Sequence, residues 1–202
     1  MPPADYQILA GPAGGRAVVI TEAASAVALA VAARLAGDGH LVLMGARRTD
    51  VCEGLASRLR SDGAAAFAAY LDLADPASIN RFVESAGYLV GAVDVLVTAA
   101  GLADGSWVGA QHLAAQVIPP MIENQRGDVV LISPELVGPS LPGAKRMLDT
   151  WVLGLQAEFV GTGVRASIIR SGEDIVNLAV PRSTSVPEIL KKATLPSISA
   201  LN

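Results

Sequence analysis

Five polar side chains offer acid–base chemistry in a chain that is 51% apolar: Lys145, Ser133, Glu135, Asp104 and His112. An amine, imidazole or carboxyl group can move a proton to or from a reacting atom, and a hydroxyl can orient it. An Asp104–His112 pair is one hypothesis; the plainer interpretation of His112, in the apolar run AQHLAAQVI, is a half-buried helix residue. With two histidines and one cysteine in all, we expect no metal site.

A second stretch of interest, TEAASAVA (21–28), links an apolar run to an Ala-rich helical pattern. Nucleotide-binding folds place a glycine-rich phosphate loop at such a strand-to-helix turn. Glu22, Ala26 and Ala28 stand where the glycines would be, and we expect the two alanine methyl groups to obstruct the pyrophosphate. The Glu22 carboxylate would also repel the phosphate charges, because two like charges ~4 Å apart repel by about 4 kcal/mol at an effective dielectric near ~20. Glu22 also suits a helix N-terminus, so its carboxylate can fill the anion site, and we expect weak dinucleotide binding.

Apolar runs and helical patterns alternate along the chain and predict where these side chains lie. The predicted strands cover 17–21, 40–45, 66–72, 93–98, 128–133 and 164–170. The predicted helices cover 23–36, 51–60, 76–86, 107–124 and 144–160. This order predicts an α/β fold, a doubly wound Rossmann-type parallel sheet of about six strands in a single domain, 1–202. Residues 1–15 are an N-terminal extension and 173–202 a shortened C-terminal segment, and ligands should bind beyond the carboxyl ends of the strands.

Composition narrows the classes of partner. The net charge is −4 and the isoelectric point is near 5.1, which argues against nucleic acid. The longest apolar run, 23–36, is too short for a membrane span, and the N-terminus does not read as a signal peptide. A single cysteine, Cys52, fits a reducing compartment, so we expect a cytoplasmic protein.

Several segments together resemble the short-chain dehydrogenase/reductase family over nearly the whole chain. They are AKRMLDTWVLGLQAEFVGTGVRASIIRSG (144–172), LDLADPASI (71–79), DVLVTAAG (94–101) and TEAASAVA (21–28). The resemblance implies cofactor contacts at Thr21, at Arg47 as in NADP-preferring relatives, at Asp72 beside adenine, and at Gly101. An exposed charge at Arg47 and a helix cap at Asp72 are the structural alternatives.

The catalytic positions of that family are only partly matched. Its tyrosine maps to Leu141, while its lysine maps to Lys145. Its serine position falls on Pro134, beside the hydroxyl of Ser133, and its asparagine falls at about Ser106. The resemblance therefore implies Lys145 and Ser133 as catalytic candidates, without the family's proton donor, and we expect no cofactor beyond residual NADP binding.

Three functions fit these observations. The first, and our expectation, is a non-redox partner subunit that has lost NAD(P)-dependent activity. It would pair as a homo-oligomer, or as a heteromer with an intact relative, through helices 107–124 and 144–160, which carry Trp107 and Trp151. The second is a redox-neutral cyclase, isomerase or dehydratase acting on a small hydrophobic molecule. The third is an atypical NADP-dependent short-chain reductase.

Overall fold

The structure, a computed structural model, describes residues 15–98, 106–133 and 143–170. Strands and helices alternate along these residues. The strands are β1 (Ala17–Ile20), β2 (Leu41–Ala46), β3 (Ala66–Tyr70), β4 (Val95–Thr98), β5 (Gly127–Ile132) and β6 (Val164–Ile169). The helices are α1 (Ala26–Gly37), α2 (Thr49–Ser61), α3 (Pro76–Leu89), α4 (Ser106–Glu123) and α5 (Ala144–Glu158). The predicted N-terminal extension and C-terminal segment lie outside the described residues, apart from Gly15.

The six strands form one parallel sheet in the order β3-β2-β1-β4-β5-β6. On one side of β1, Ala17 lies opposite Leu41; on the other, Val18 lies opposite Val95. The chain thus adds β2 and β3 on one side of β1 and then β4, β5 and β6 on the other side, so the strand order reverses between β1 and β4. This switch point, at the carboxyl edge beside the loop that follows β1, is the crevice where α/β sheets bind ligands. The predicted Rossmann-type sheet is confirmed.

Side chains that alternate along the strands enter two apolar layers. Val19 and Leu43 point into the layer shared with α3, α4 and α5, where Phe82 and Leu113 are buried. Val18 on the opposite face packs in the layer that α1 and α2 cover. Both faces of the sheet are therefore buried, which explains why the strands read as continuous apolar runs.

Charged side chains tie the strands together at the amino edge of the sheet, opposite the crevice. The Arg16 guanidinium contacts Asp128 at 2.5 Å and donates to the Asp94 backbone oxygen at 2.9 Å. Arg165 contacts the other Asp128 oxygen at 3.2 Å. Burial raises the pKa of the Asp128 carboxyl, and the two guanidiniums act against that rise. The buried His40 accepts the Arg16 backbone N–H at Nδ1, 3.1 Å away. This cluster holds β1, β4, β5 and β6 in register.

Helix α4 lies very close to the loop that follows β3. A Cβ placed on Gly109 would lie 1.7 Å from the backbone oxygen of Leu73, so only glycine fits there. The helix also continues through Pro119 and Pro120, both exposed, although proline removes a backbone donor. None of the described helices combines the length and apolar character that crossing a membrane requires.

Candidate active site

Two buried threonines meet at the crevice between β1 and β4. Thr21 donates its backbone N–H to Val97 O at 2.9 Å, and its hydroxyl donates to the Thr98 hydroxyl at 3.0 Å. Both residues are almost completely buried. Thr21, expected as a cofactor contact, therefore joins the ends of two strands and fixes the start of the loop that follows β1.

Glu22 adopts a left-handed backbone conformation in that loop, with φ of 50°. The next residue, Ala23, donates its N–H to Gly45 O at 3.0 Å, and Ser25 donates its N–H to Glu22 O at 3.2 Å. L-residues other than glycine are disfavoured there, and the strain is of order 1–2 kcal/mol. The loop thus follows a path that suits glycine while carrying a half-buried carboxylate side chain.

The two alanines of this stretch occupy different environments. Ala28 is fully buried in the layer beneath α1, so its methyl group packs in the core. Its N–H is bound by the Ser25 hydroxyl, which caps α1 at 3.2 Å. Ala26 is exposed at the first residue of the helix. The expectation that both alanines obstruct a pyrophosphate is wrong for Ala28, because its side chain faces the sheet.

Charged residues follow β2 and β3 at the carboxyl edge. Arg47 and Arg48 are both exposed directly after β2. Asp72 is half-buried after β3, where its carboxylate accepts the Ala74 N–H at 3.0 Å and its own N–H donates to the buried Ser78 hydroxyl. The residue that caps α3 is Asp75, so the helix-cap interpretation of Asp72 is wrong. Arg47 and Asp72 thus follow neighbouring strands at the carboxyl edge of the sheet.

The two catalytic candidates differ in exposure. Ser133 is 2% exposed, and its backbone N–H donates to Ile169 O at 2.8 Å, which extends the pairing of β5 with β6. Lys145 is exposed at the second residue of α5, a helix that begins at the carboxyl edge. Within the described ranges no hydrogen bond joins the two side chains. Gly101, Asp104, Pro134, Glu135 and Leu141 lie outside the described residues.

An ion pair near Lys145 was missed by the sequence analysis. Arg170 follows β6 and contacts the Asp149 carboxylate at 2.5 Å. Asp149 comes one helical turn after Lys145 on α5. The sequence did carry a signal for this pair, a basic residue directly after a strand. Charged residues in the same position after β2 and β3 belong to the candidate site. The pair anchors the start of α5 to the carboxyl edge of the sheet.

An aromatic pair joins α4 and α5. The rings of Trp107 and Trp151 meet edge to face, with centroids 4.9 Å apart and an interplanar angle of 72°. A cavity of about 530 Å³ beside them is also lined by Arg146, Met147 and Glu158. His112 is half-buried on α4, as its plainer interpretation expects. Among the described residues, no three His, Cys, Asp or Glu side chains cluster as a metal site would require.

Comparison with known sequences identifies relatives of this chain. The family model for short chain dehydrogenases matches residues 16–173. A glycine betaine reductase of Emericella nidulans is 29% identical over 210 residues, which cover 93% of this chain and 16% of that protein. A 2,5-dichloro-2,5-cyclohexadiene-1,4-diol dehydrogenase of Sphingobium indicum is 26% identical over 204 residues, covering 89% and 80%. This chain spans only 34% and 62% of the lengths of two other relatives.

Solved structures share the fold. A metagenomic short-chain oxidoreductase in complex with NADP has a TM-score of 0.67 and 22% identity, and 91% of each chain is covered. An L-sorbose reductase from Gluconobacter frateurii, complexed with NADPH and L-sorbose, has a TM-score of 0.66 and 24% identity, covering 77% of this chain and 69% of that one. At these identities the likeness establishes the fold alone.

The expectation of a non-redox partner subunit is wrong. The family model describes dehydrogenases, and the relatives are reductases and dehydrogenases, which favours the third alternative, a reductase. Departures at single motif positions, such as Glu22 and Leu141, do not outweigh the family match over residues 16–173.

Proposed function

We propose that this chain, which belongs to the short-chain dehydrogenase family, is an atypical NADP(H)-dependent oxidoreductase that interconverts a carbonyl compound and its alcohol. The observation that carries the proposal is the family match over residues 16–173. The reductase and dehydrogenase names of the relatives support it. The threonine pair at the crevice between β1 and β4 supports a ligand site at this edge of the sheet.

The residues present fit one half of the dinucleotide better than the other. Arg47 and Arg48 offer two guanidinium groups to a 2′-phosphate, a group that arginine binds in bidentate fashion. Asp72 stands beside them as an acceptor for adenosine. At the pyrophosphate, by contrast, Glu22 presents a carboxylate where phosphate charge would lie. When bound, the nicotinamide supplies or accepts a hydride, and the protein supplies position and charge.

We assign the proton on the substrate oxygen to Lys145. The ammonium group is exposed near the start of α5, where water can carry the proton between Lys145 and the substrate. The Arg170–Asp149 pair, one turn further along the helix, positions this end of α5. Ser133, at the end of β5, is assigned the positioning of the substrate oxygen.

Turnover of Lys145→Met with NADPH tests this assignment. Removing a general acid should lower kcat roughly 100-fold, while the exposed site leaves folding intact. The matched control is Arg58→Met, which removes an exposed cation from α2 near the opposite edge of the sheet. Unchanged kcat in Lys145→Met rejects the assignment. Absence of NADPH binding together with absence of turnover on every ketone, ketose and ketoacyl thioester tested rejects the proposed function.

We further propose that the chain self-associates through the outer faces of α4 and α5. Two apolar side chains there are exposed: Val108 on α4 (68%) and Met147 on α5 (48%), and Met147 lies one helical turn from Trp151 on the same side of α5. Exposed apolar side chains beside a groove are a common feature of protein–protein interfaces. A two-fold interface would cover this face with its own copy, and stable interfaces bury at least ~1,200 Å² in total.

The cavity beside the tryptophan pair suits such an arrangement. Gly154 lines it, and a Cβ at this glycine would meet nothing within 4 Å. A glycine inside a helix costs about 1 kcal/mol relative to alanine, and packing within one chain does not require it. If two α5 helices pair in antiparallel fashion, Trp151 packs on the partner's Gly154, and Arg146 faces the partner's Glu158.

Met147→Glu tests the association, because Met147 lines the same cavity as Trp151 and Gly154. The side chain is exposed, so the fold should persist, whereas a carboxylate placed in an apolar interface should convert the dimer to monomer at tens of micromolar in light scattering. The control Tyr88→Glu places the same charge on the exposed face of α3 and should leave the dimer intact. A monomeric wild-type protein at that concentration contradicts this part of the proposal.

A further inference from the structure

The loop between β1 and α1 holds Glu22 in a fixed backbone position. Three hydrogen bonds surround it: Thr21 N–H to Val97 O, Ala23 N–H to Gly45 O, and Ser25 N–H to Glu22 O. The loop is thereby tied to β4 on one side and to β2 on the other. Because φ is 50°, the backbone is in the region that glycine enters freely, and the Glu22 side chain leaves from it half-buried.

The two alanines that stand at glycine positions in this stretch do not determine how a nucleotide would bind. Ala28 lies in the core, and the Ser25 hydroxyl already binds its N–H. Ala26 adds a single exposed methyl group at the first turn of α1. Glu22 alone adds charge, and its half-buried side chain leaves the loop between β1 and α1, three residues before the Ser25 cap. A carboxylate in this loop and a pyrophosphate bound beside it would repel each other.

We infer that Glu22 sets the affinity of this protein for dinucleotides: its carboxylate acts as an internal competitor for the pyrophosphate. This inference rests on the proposed function, since it concerns how the same site receives NADP(H). The competition involves the pyrophosphate, so it affects NADPH and NADH alike. It does not affect a ligand that carries only the 2′-phosphate, which Arg47 and Arg48 would hold.

Binding titrations with two ligands and three variants test the inference. Glu22→Gln removes the charge and keeps the size and the backbone, whereas Glu22→Gly also removes the left-handed strain. Glu123→Gln, at the far end of α4, removes one exposed carboxylate remote from the site and controls for net charge. The ligands are NADPH and adenosine 2′-monophosphate, which lacks the pyrophosphate.

Calorimetry should show NADPH binding at least 10-fold tighter to Glu22→Gln and Glu22→Gly than to wild type. Adenosine 2′-monophosphate should bind all four proteins equally, and Glu123→Gln should match wild type for both ligands. Equal NADPH affinity in wild type and Glu22→Gln overturns the inference and leaves the proposed function standing. If NADPH binds none of the proteins, both the inference and the proposed use of NADP(H) are rejected. Urea unfolding of each variant confirms that the proteins compared are folded.

Discussion

Replacing Gly109 with alanine tests the closest backbone approach near the candidate site. Gly109 lies in the first turn of α4 against the loop that carries Asp72 and Leu73. A Cβ there would lie 1.7 Å from Leu73 O, 2.6 Å from Leu73 C and 2.9 Å from Leu73 Cα. All three are backbone atoms, so no flexible side chain can turn aside. Either α4 or the loop must move by more than an ångström.

Two opposing effects determine the magnitude. Forcing atoms into a filled space costs about 3 kcal/mol when the neighbours are backbone. Alanine in place of glycine inside a helix returns about 1 kcal/mol. We therefore expect Gly109→Ala to lower the free energy of unfolding by about 2 kcal/mol. Displacing the loop also moves Asp72, so Gly109→Ala should weaken NADPH binding as well as lower the stability of the fold.

Urea unfolding followed by tryptophan fluorescence measures the change, since Trp107 and Trp151 are paired in the folded state. Gly87→Ala is the matched control: it lies exposed in α3, and a Cβ there meets nothing within 4 Å. The control should be as stable as wild type or more stable by up to about 1 kcal/mol. If Gly109→Ala unfolds at the same urea concentration as Gly87→Ala, the packing of α4 on this loop is wrong.

The further predictions concern two buried groups, Asp128 in β5 and Cys52 in α2. Asp128→Asn should lower the free energy of unfolding by roughly 3–5 kcal/mol, because Arg16 would remain buried without its counter-charge; urea unfolding measures this, and a loss under about 1 kcal/mol would refute it. Burial, with a smaller effect of Asp50, raises the pKa of the Cys52 thiol from 9.0 to about 11. Native Cys52 should therefore react with a thiol reagent at pH 8 only as fast as the protein opens, and fast labelling without denaturant would contradict its burial. Because the folded pKa is the higher one, the stability from the neutral thiol is present below pH 9 and is lost as pH rises towards 11, which unfolding curves across this range can show.

The order and type of the elements could be predicted because each buried strand is an apolar run bounded by turn residues. AVVI, LVLMGA and GDVVLI are buried along their whole length, as expected for strands covered on both faces. The start of α1 was placed three residues early, since an Ala-rich pattern does not show where Ser25 adopts the extended conformation of a cap.

Features that depend on distant parts of the chain could not be predicted. Gly109 is required by Leu73, and Ala28 is buried by the sheet, but neither contact has a local signal. The left-handed conformation of Glu22 is set by bonds to β2 and β4, and residue type alone would have argued against it. The sequence showed the charged residues after the strands, yet it could not show that Ser133 is buried while Lys145 is exposed.

The central claim is that this protein transfers a hydride between NADP(H) and a carbonyl compound. Single-turnover reactions with concentrated protein, NADPH deuterated at the transferable position and a panel of ketones, ketoses and ketoacyl thioesters test it most directly. The claim predicts an alcohol product that carries one deuterium, with its yield limited by the protein and strongly reduced in Lys145→Met. Nucleotide that remains fully deuterated and reduced with every carbonyl in the panel would contradict it.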